Sequence, residues 1–266
     1  MSGPVDLYGI YRDFADPVNA EIRGETFGAD IGQNSWTTVE EYARVMPWLE
    51  VASGGRVLEV ASGSGGPAIH LARLLDCQVI GIDRDAGGVA TATQMASRCG
   101  ESHRVRFEVA DAEARLPFGA NAFDGLVCID ALNHLRDRRG VLKEWWRVLR
   151  PGRRALFTDP VVVTGPVTGE ELSTRSSIGP FLFLPPGVNE RLIDEAGFGL
   201  VRQEDVSEAA ATIAGRWHDA RQRRRDALIA REGESRYAGL QRFFAMVRDL
   251  ARERRLSRWL YLVEKI

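Results

Sequence analysis

From Arg56 onward, short apolar runs alternate with amphipathic stretches. RVLEV (56–60), CQVIGID (77–83), VRFEVAD (105–111), FDGLVCID (123–130) and RALFTDP (154–160) have the length and the β-branched content of strands. The segments around 67–75, 86–99 and 138–149 separate most of them and read as helices. Near-continuous apolar strands alternating with helices predict an α/β fold whose parallel sheet is covered on both faces. Residues 112–122, broken by Pro117, are too short for an assignment.

After Pro160 the alternation stops. VVVTGPVTG and SSIGPFLFLPPG are punctuated by Gly and Pro and predict an insertion at 160–187. A helix near 188–196 and a strand, GLVRQED (199–205), resume the pattern. Two arginine-rich helical stretches follow, about 207–232 and 235–255, and RWLYLVEK (258–265) closes the chain as a strand. Upstream, 5–23 and 37–50 read as helices, the second capped at Thr37-Thr38 with Glu40 and Glu41 in its first turn. FGADIGQNSW (27–36) is a polar, glycine-marked loop between them. The expected organisation is N-terminal lid helices and a covering loop (1–50), a core (51–206), a helical lid insertion (207–257) and a final core strand (258–266).

Composition narrows the class. A chain of 266 residues with 44% hydrophobic side chains can bury one large core. A formal charge of −2 gives no reason to expect a whole-protein nucleic-acid binder. Residues 216–266 carry 14 basic against 7 acidic side chains, but Asp226, Glu232 and Glu234 are interspersed at near-helical spacing, the pattern of a solvated face. Cys77, Cys99 and Cys128 form no CxxC pair, which argues against a disulfide framework or a zinc site and fits a reducing compartment. No metal is expected. No apolar run approaches the roughly 18–20 residues of a membrane span, and the N-terminus lacks a signal core, so the expected location is the cytoplasm.

The stretch LEVASGSGGPAIHLA (58–72) is a strand, a glycine turn and a helix. The plainest reading of Gly63, Gly65 and Gly66 is a tight turn with no ligand. A second takes Gly63-x-Gly65-x-x-Ala68 as a dinucleotide fingerprint, with Asp83 as its acid. Glu59 opposes the second reading: at an effective dielectric near 20, like charges ~4 Å apart repel by about 4 kcal/mol, and a pyrophosphate brings two. A ligand with a cationic part and one small anion suits the turn better.

These residues resemble the class I S-adenosylmethionine-dependent methyltransferases of the small-molecule type, over roughly residues 25–206. Where that family has D/E-x-G-x-G-x-G, this chain has Glu59-Val60-Ala61-Ser62-Gly63-Ser64-Gly65, departing at Ala61, where Gly is usual. The resemblance implies a Rossmann-like seven-stranded sheet with helices on both faces and a helical lid. Its cofactor, S-adenosyl-L-methionine (product S-adenosyl-L-homocysteine), has a zwitterionic amino-acid tail and a sulfonium but no phosphate, as Glu59 requires. The family places an acid on the ribose hydroxyls, here Asp83 with Arg84 beside it, and contacts the adenine near Asp111 and Ala112. Ile129, near the end of the fourth strand, is a further expected cofactor contact, and Ile31, Gly32 and Gln33 lie where related enzymes close over the cofactor, with Trp36 expected to pack nearby.

CIDALNHLRDR (128–138) follows the fourth strand, where the methyl acceptor belongs. Asp130 and His134, four residues apart, share a face if this stretch is helical. His134 is the candidate general base, and Asp130 its orienter or an attractor of a cationic acceptor. The plainer reading is a capping aspartate and an ordinary histidine. The segment also resembles phosphoethanolamine methyltransferases, whose histidine here pairs with an N-terminal tyrosine; Tyr11, or less well Tyr8, corresponds. Their phosphate-binding insertion is replaced by an apolar wall at Gly179-Pro180-Phe181, which points away from a phosphobase. Phe181, Trp217 and His218 are the candidate acceptor contacts. The expected activity is methyl transfer to nitrogen, slightly preferred, or oxygen of a small molecule.

Three rival functions stay open at this stage. They are an NAD(P)-dependent oxidoreductase, a catalytically silent S-adenosylmethionine-binding protein, and a nucleic-acid methyltransferase using the arginine-rich helices. The last lacks the Asn/Asp-Pro-Pro-aromatic run expected after the fourth strand, where Ile129-Asp130-Ala131-Leu132 stands instead.

Overall fold

A computed structural model describes residues 16–266. Tyr8, Tyr11 and the 5–15 part of the first predicted helix lie outside the described residues.

Strands β1 (Arg56–Val60), β2 (Gln78–Asp83), β3 (Val105–Val109), β4 (Phe123–Cys128), β5 (Leu149–Val163), β6 (Phe198–Asp205) and β7 (Leu256–Lys265) form one seven-stranded sheet in the order β3-β2-β1-β4-β5-β7-β6. The first five are mutually parallel, and β7 runs antiparallel between β5 and β6. The crossovers are α3 (Gly66–Leu75), α4 (Ala86–Arg98) and α5 (Arg138–Val148). Alternate residues of the central strands point to opposite faces. Leu58, Ile80, Leu126, Phe157 and Val263 pack with Trp145 of α5, while Val57, Val79, Val127, Leu156 and Leu262 pack under α2 (Val39–Val45) and α3. Burial on both faces explains why these strands read as continuous apolar runs.

Of the remaining helices, the one at Val188–Glu195 packs on the sheet beside Trp145 through Ile193, and the others cluster apart from the sheet core. Asp16 caps α1 (Pro17–Phe27), accepting from Val18 N and Asn19 N; this break at Asp16-Pro17 falls inside the single helix predicted over 5–23, and α1 runs into the predicted loop. Helix α6 (Gly169–Arg175) and α7 (Val188–Glu195) follow β5, which continues to Val163 rather than ending at Pro160 because β7 pairs with it as far as Val163↔Leu256. The stretch predicted as one helix over 207–232 divides at Arg224 into α8 (Ser207–Arg223) and α9 (Arg225–Glu232), and α10 (Glu234–Arg252) completes the lid. Trp217 joins lid and N-terminal helix: its ring stacks on Phe244 at 5.3 Å and meets Phe27 edge-on at 5.4 Å. No helix among the described residues is long and apolar enough to cross a membrane.

Candidate active site

The turn after β1 owes its shape to positive-φ residues. Gly63 (φ 52°) and Gly65 (φ 82°) adopt it freely, and Ala61 (φ 59°) adopts it at the expense of Cβ strain. A Cβ on Gly65 would stand 2.5 Å from Ala92 Cβ, and one on Gly66 only 1.8 Å from the Ile31 carbonyl oxygen. The covering loop therefore lies directly on the N-terminus of α3. Asp83 at the end of β2 secures the turn: Oδ2 accepts from Gly63 N (2.9 Å) and Oδ1 from Asp85 N (2.9 Å). Burial pushes its carboxyl above the ordinary range.

Glu59 is 4% exposed. Burial raises its carboxyl to about 8, opposed by the Tyr42 hydroxyl, which donates to Oε1 at 3.4 Å. Among the described residues Oε2 has no hydrogen-bond partner, and neither do the buried hydroxyls of Ser35 and Ser62. All three residues line one small cavity of about 50 Å³ with Gly32, Asn34 and Gly63. Three orphaned polar atoms converging on one space mark it as built for a polar ligand. A carboxylate and two hydroxyls fit a zwitterionic amino-acid tail.

A larger cavity of about 460 Å³ adjoins it, sharing Asn34, Ala61 and Ile129. Asp83, Arg84, Asp111 and Ala112 line one part, and Asp130, Ala131, His134 and Pro180 another. Asp111 Oδ1 accepts from Glu113 N (2.9 Å), which shapes the wall next to Ala112. His134 Nδ1 lies 3.0 Å from the Pro180 carbonyl oxygen, and its ring packs on Phe181 with centroids 4.6 Å apart. A carbonyl can only accept, so Nδ1 carries the proton and Nε2 is the basic nitrogen of the neutral ring. Burial lowers the pKa of His134, favouring that neutral form.

Several expected contacts fall elsewhere. Asp130 does not share a helical face with His134 and does not orient it. Its backbone is left-handed (φ 52°), and the short 3₁₀ turn begins only at Leu132. Its carboxylate is saturated: Oδ1 accepts from Thr158 Oγ1 (2.7 Å) and Arg258 Nε (2.7 Å), and Oδ2 from Trp36 N (2.7 Å). Gln33 is spent inside its own loop, Oε1 accepting from Ile31 N and Nε2 donating to Ala29 O, so the neighbouring Asn34 lines the cavities instead. His218 bonds to Asp219 (3.0 Å). Phe181, expected as an acceptor contact, packs on the His134 ring while Pro180 beside it lines the large cavity, and Trp217 lines a further cavity under the lid.

Asn34, Tyr42 and Arg258 belong to the site without any motif that marks them. Tyr42 had one legible signal, its place four residues after the Thr38 cap on the apolar face of α2 with Val45 and Met46. Nothing in spacing marks Arg258, whose fully buried guanidinium also donates to Glu41 Oε1 (2.6 Å) and Thr37 Oγ1 (2.5 Å).

A methyltransferase-domain family model matches residues 58–157, from β1 through the middle of β5. The 27-O-demethylrifamycin SV methyltransferase of Amycolatopsis mediterranei is 31% identical over 213 residues, 77% of this chain and 78% of that protein. This chain belongs to the class I S-adenosylmethionine-dependent methyltransferases. The O-methyltransferase cnsE of Penicillium expansum is 30% identical over 212 residues, covering 78% of this chain and 70% of its own. Among solved structures, Haemonchus contortus phosphoethanolamine N-methyltransferase 2, in complex with phosphomonomethylethanolamine and S-adenosylhomocysteine, superposes with a TM-score of 0.81 at 19% identity, over 96% of this chain and 59% of that one. The methyltransferase's cofactor is S-adenosylmethionine, and the oxidoreductase alternative falls with that assignment.

Proposed function

We propose that this methyltransferase methylates a hydroxyl oxygen of a small molecule, with His134 as general base. The observation that carries the reading is the Nδ1–H···O bond to Pro180, which leaves Nε2 basic at the edge of the large cavity. No described residue donates to Nε2.

The residues fit the cofactor in two parts. Glu59, Ser35 and Ser62 would receive its amino-acid tail, while Asp83, Arg84, Asp111 and Ala112 would hold ribose and adenine. When bound, S-adenosylmethionine supplies a methyl group on a positively charged sulfur that leaves readily. The chain's own task is then to position, to exclude water and to move one proton. His134 takes the hydroxyl proton on Nε2, and the Pro180 carbonyl holds the ring and stabilises the resulting imidazolium through Nδ1–H. In-line alignment is worth about 7–11 kcal/mol when the reacting atoms are held ~3–3.5 Å apart. Oxygen is preferred over nitrogen because the acid that would attract an ammonium acceptor, Asp130, is fully engaged by Arg258, Thr158 and Trp36. The names of two relatives, the O-methyltransferase cnsE and the 27-O-demethylrifamycin SV methyltransferase, denote oxygen acceptors and support this reading.

The test is a split between binding and turnover. His134→Gln should leave S-adenosylhomocysteine affinity by calorimetry unchanged while lowering methyl transfer to phenol and alcohol panels about 10²–10⁴-fold. Asp83→Ala should abolish cofactor binding. Unchanged turnover in His134→Gln would refute the base.

A further inference from the structure

A third cavity, of about 100 Å³, lies under the lid. Its walls include Ile22 of α1, Trp217 and Arg221 of α8, Glu232 of α9, and Leu240 and Phe244 of α10. Asn34 lines it as well, and Asn34 also lines both cavities described above. The lid cavity is therefore next door to the space that His134 borders.

Its chemistry is specific. The Trp217 indole is fixed between Phe244 and Phe27 and supplies a rigid aromatic wall. Arg221 is 5% exposed and ion-paired with Glu232, yet its Nε–H has no acceptor among the described residues. A buried guanidinium donor left open costs about 1–3 kcal/mol or more unless something accepts from it. Glu232 already offsets the charge of Arg221; Arg236, 3.8 Å from the same carboxylate, is more than a third exposed, and Arg23, which also lines the cavity, is paired with Asp30 at 3.0 Å. A second carboxylate brought to Arg221 would face Glu232 and be repelled. What Arg221 lacks is a neutral acceptor atom.

We propose that this cavity seats the far end of the methyl acceptor, an apolar group that ends in a neutral oxygen accepting the Arg221 Nε–H. A cavity near 150 Å³ holds benzene, so this one takes roughly four or five heavy atoms. The inference rests on the reading of His134 above: the hydroxyl lies at Nε2, the body of the molecule passes Asn34, and the carbonyl or ether oxygen reaches Arg221. Trp217, Leu240 and Arg221 then set which acceptors fit.

The experiment uses the full chain loaded with S-adenosylhomocysteine. The probes are phenol, the methyl esters of 4-hydroxybenzoic, 4-hydroxyphenylacetic and 3-(4-hydroxyphenyl)propanoic acids, and the three parent acids. Binding is measured by calorimetry, directly or in competition. At least one ester should bind about tenfold tighter than phenol and than its own acid, the worth of ~1.4 kcal/mol. Leu240→Trp, which fills the cavity, should erase that advantage without changing the affinity for S-adenosylhomocysteine or phenol. Arg221→Lys keeps the charge opposite Glu232 but has no Nε–H, and should erase it too. Esters no better than phenol, an advantage that survives Leu240→Trp, or tighter binding of the acids would each overturn the proposal. Methyl transfer from S-adenosylmethionine is followed in parallel. An ester that shows the cavity-dependent advantage but is never methylated would support the lid site and count against His134 as base.

Discussion

Glu59 shows what burial does to one side chain. Its carboxyl titrates near 8 instead of 4.5 because the interior strips it of water, and the Tyr42 hydroxyl offsets only part of that cost. Between those values the native empty protein holds a proton that the unfolded chain releases. Stability should therefore fall as pH rises through this window. Thermal melts of the ligand-free protein from pH 5 to 8.5 should show the decline, and Glu59→Gln should flatten it. An identical slope in the variant would mean that Glu59 is not the titrating group. Cofactor affinity should move the opposite way, strengthening as Glu59 ionises, because the bound ammonium favours the carboxylate. His134 has the reverse sign: burial lowers its pKa, so kcat should rise with pH only through a midpoint below 6.5 and stay level above it. Glu59, Gly63 and Asp83 were legible in the sequence because their roles depend on position relative to one strand and one turn. Gln33 was misplaced by a single residue, since only the folded loop shows that its amide closes on Ile31 and Ala29.

At the scale of elements, the covering loop and α3 act as one unit. Gly66 is the contact between them. In an isolated helix, Gly→Ala adds about 1 kcal/mol of stability. Here the new Cβ would lie 1.8 Å from Ile31 O and 2.9 Å from Gly32 Cα, both backbone atoms that cannot rotate aside. The clash should win. Gly66→Ala should lower the melting temperature and weaken S-adenosylhomocysteine binding at least about tenfold, as the loop carrying Asn34 and Ser35 is pushed off the cavity. A more stable variant with full affinity would show that the loop does not need this contact. The strand–helix order of the core was readable because its apolar periodicity is local. The break at Arg224 and the extension of β5 to Val163 were not, because pairing with β7 and packing of the lid decide them.

Across the whole molecule, Arg258 of β7 ties together parts of the chain more than 200 residues apart. One buried guanidinium holds Thr37 and Glu41 at the start of α2 and Asp130 at the end of β4, while Asp130 also holds the Trp36 amide. Asp130→Asn should therefore act mainly on stability, costing ~3–5 kcal/mol by leaving a buried charge short of its partner. Denaturant unfolding beside kcat checks this: a wild-type unfolding midpoint with a collapsed kcat would restore Asp130 as a catalytic group. By itself the sequence determined the parallel α/β core and the acid-guarded glycine turn, since strand periodicity and turn backbone depend on neighbours along the chain. Only the tertiary structure decided that Asp130 belongs to Arg258 rather than His134, that Asn34 rather than Gln33 lines the cavities, and that the Arg221 Nε–H meets no acceptor among the described residues. The Asp130–Arg258 pair joins distant segments and the loop and lid bonds depend on how each segment folds back, so a buried polar atom's partner is chosen by what packing brings within ~3 Å, which residue spacing does not encode.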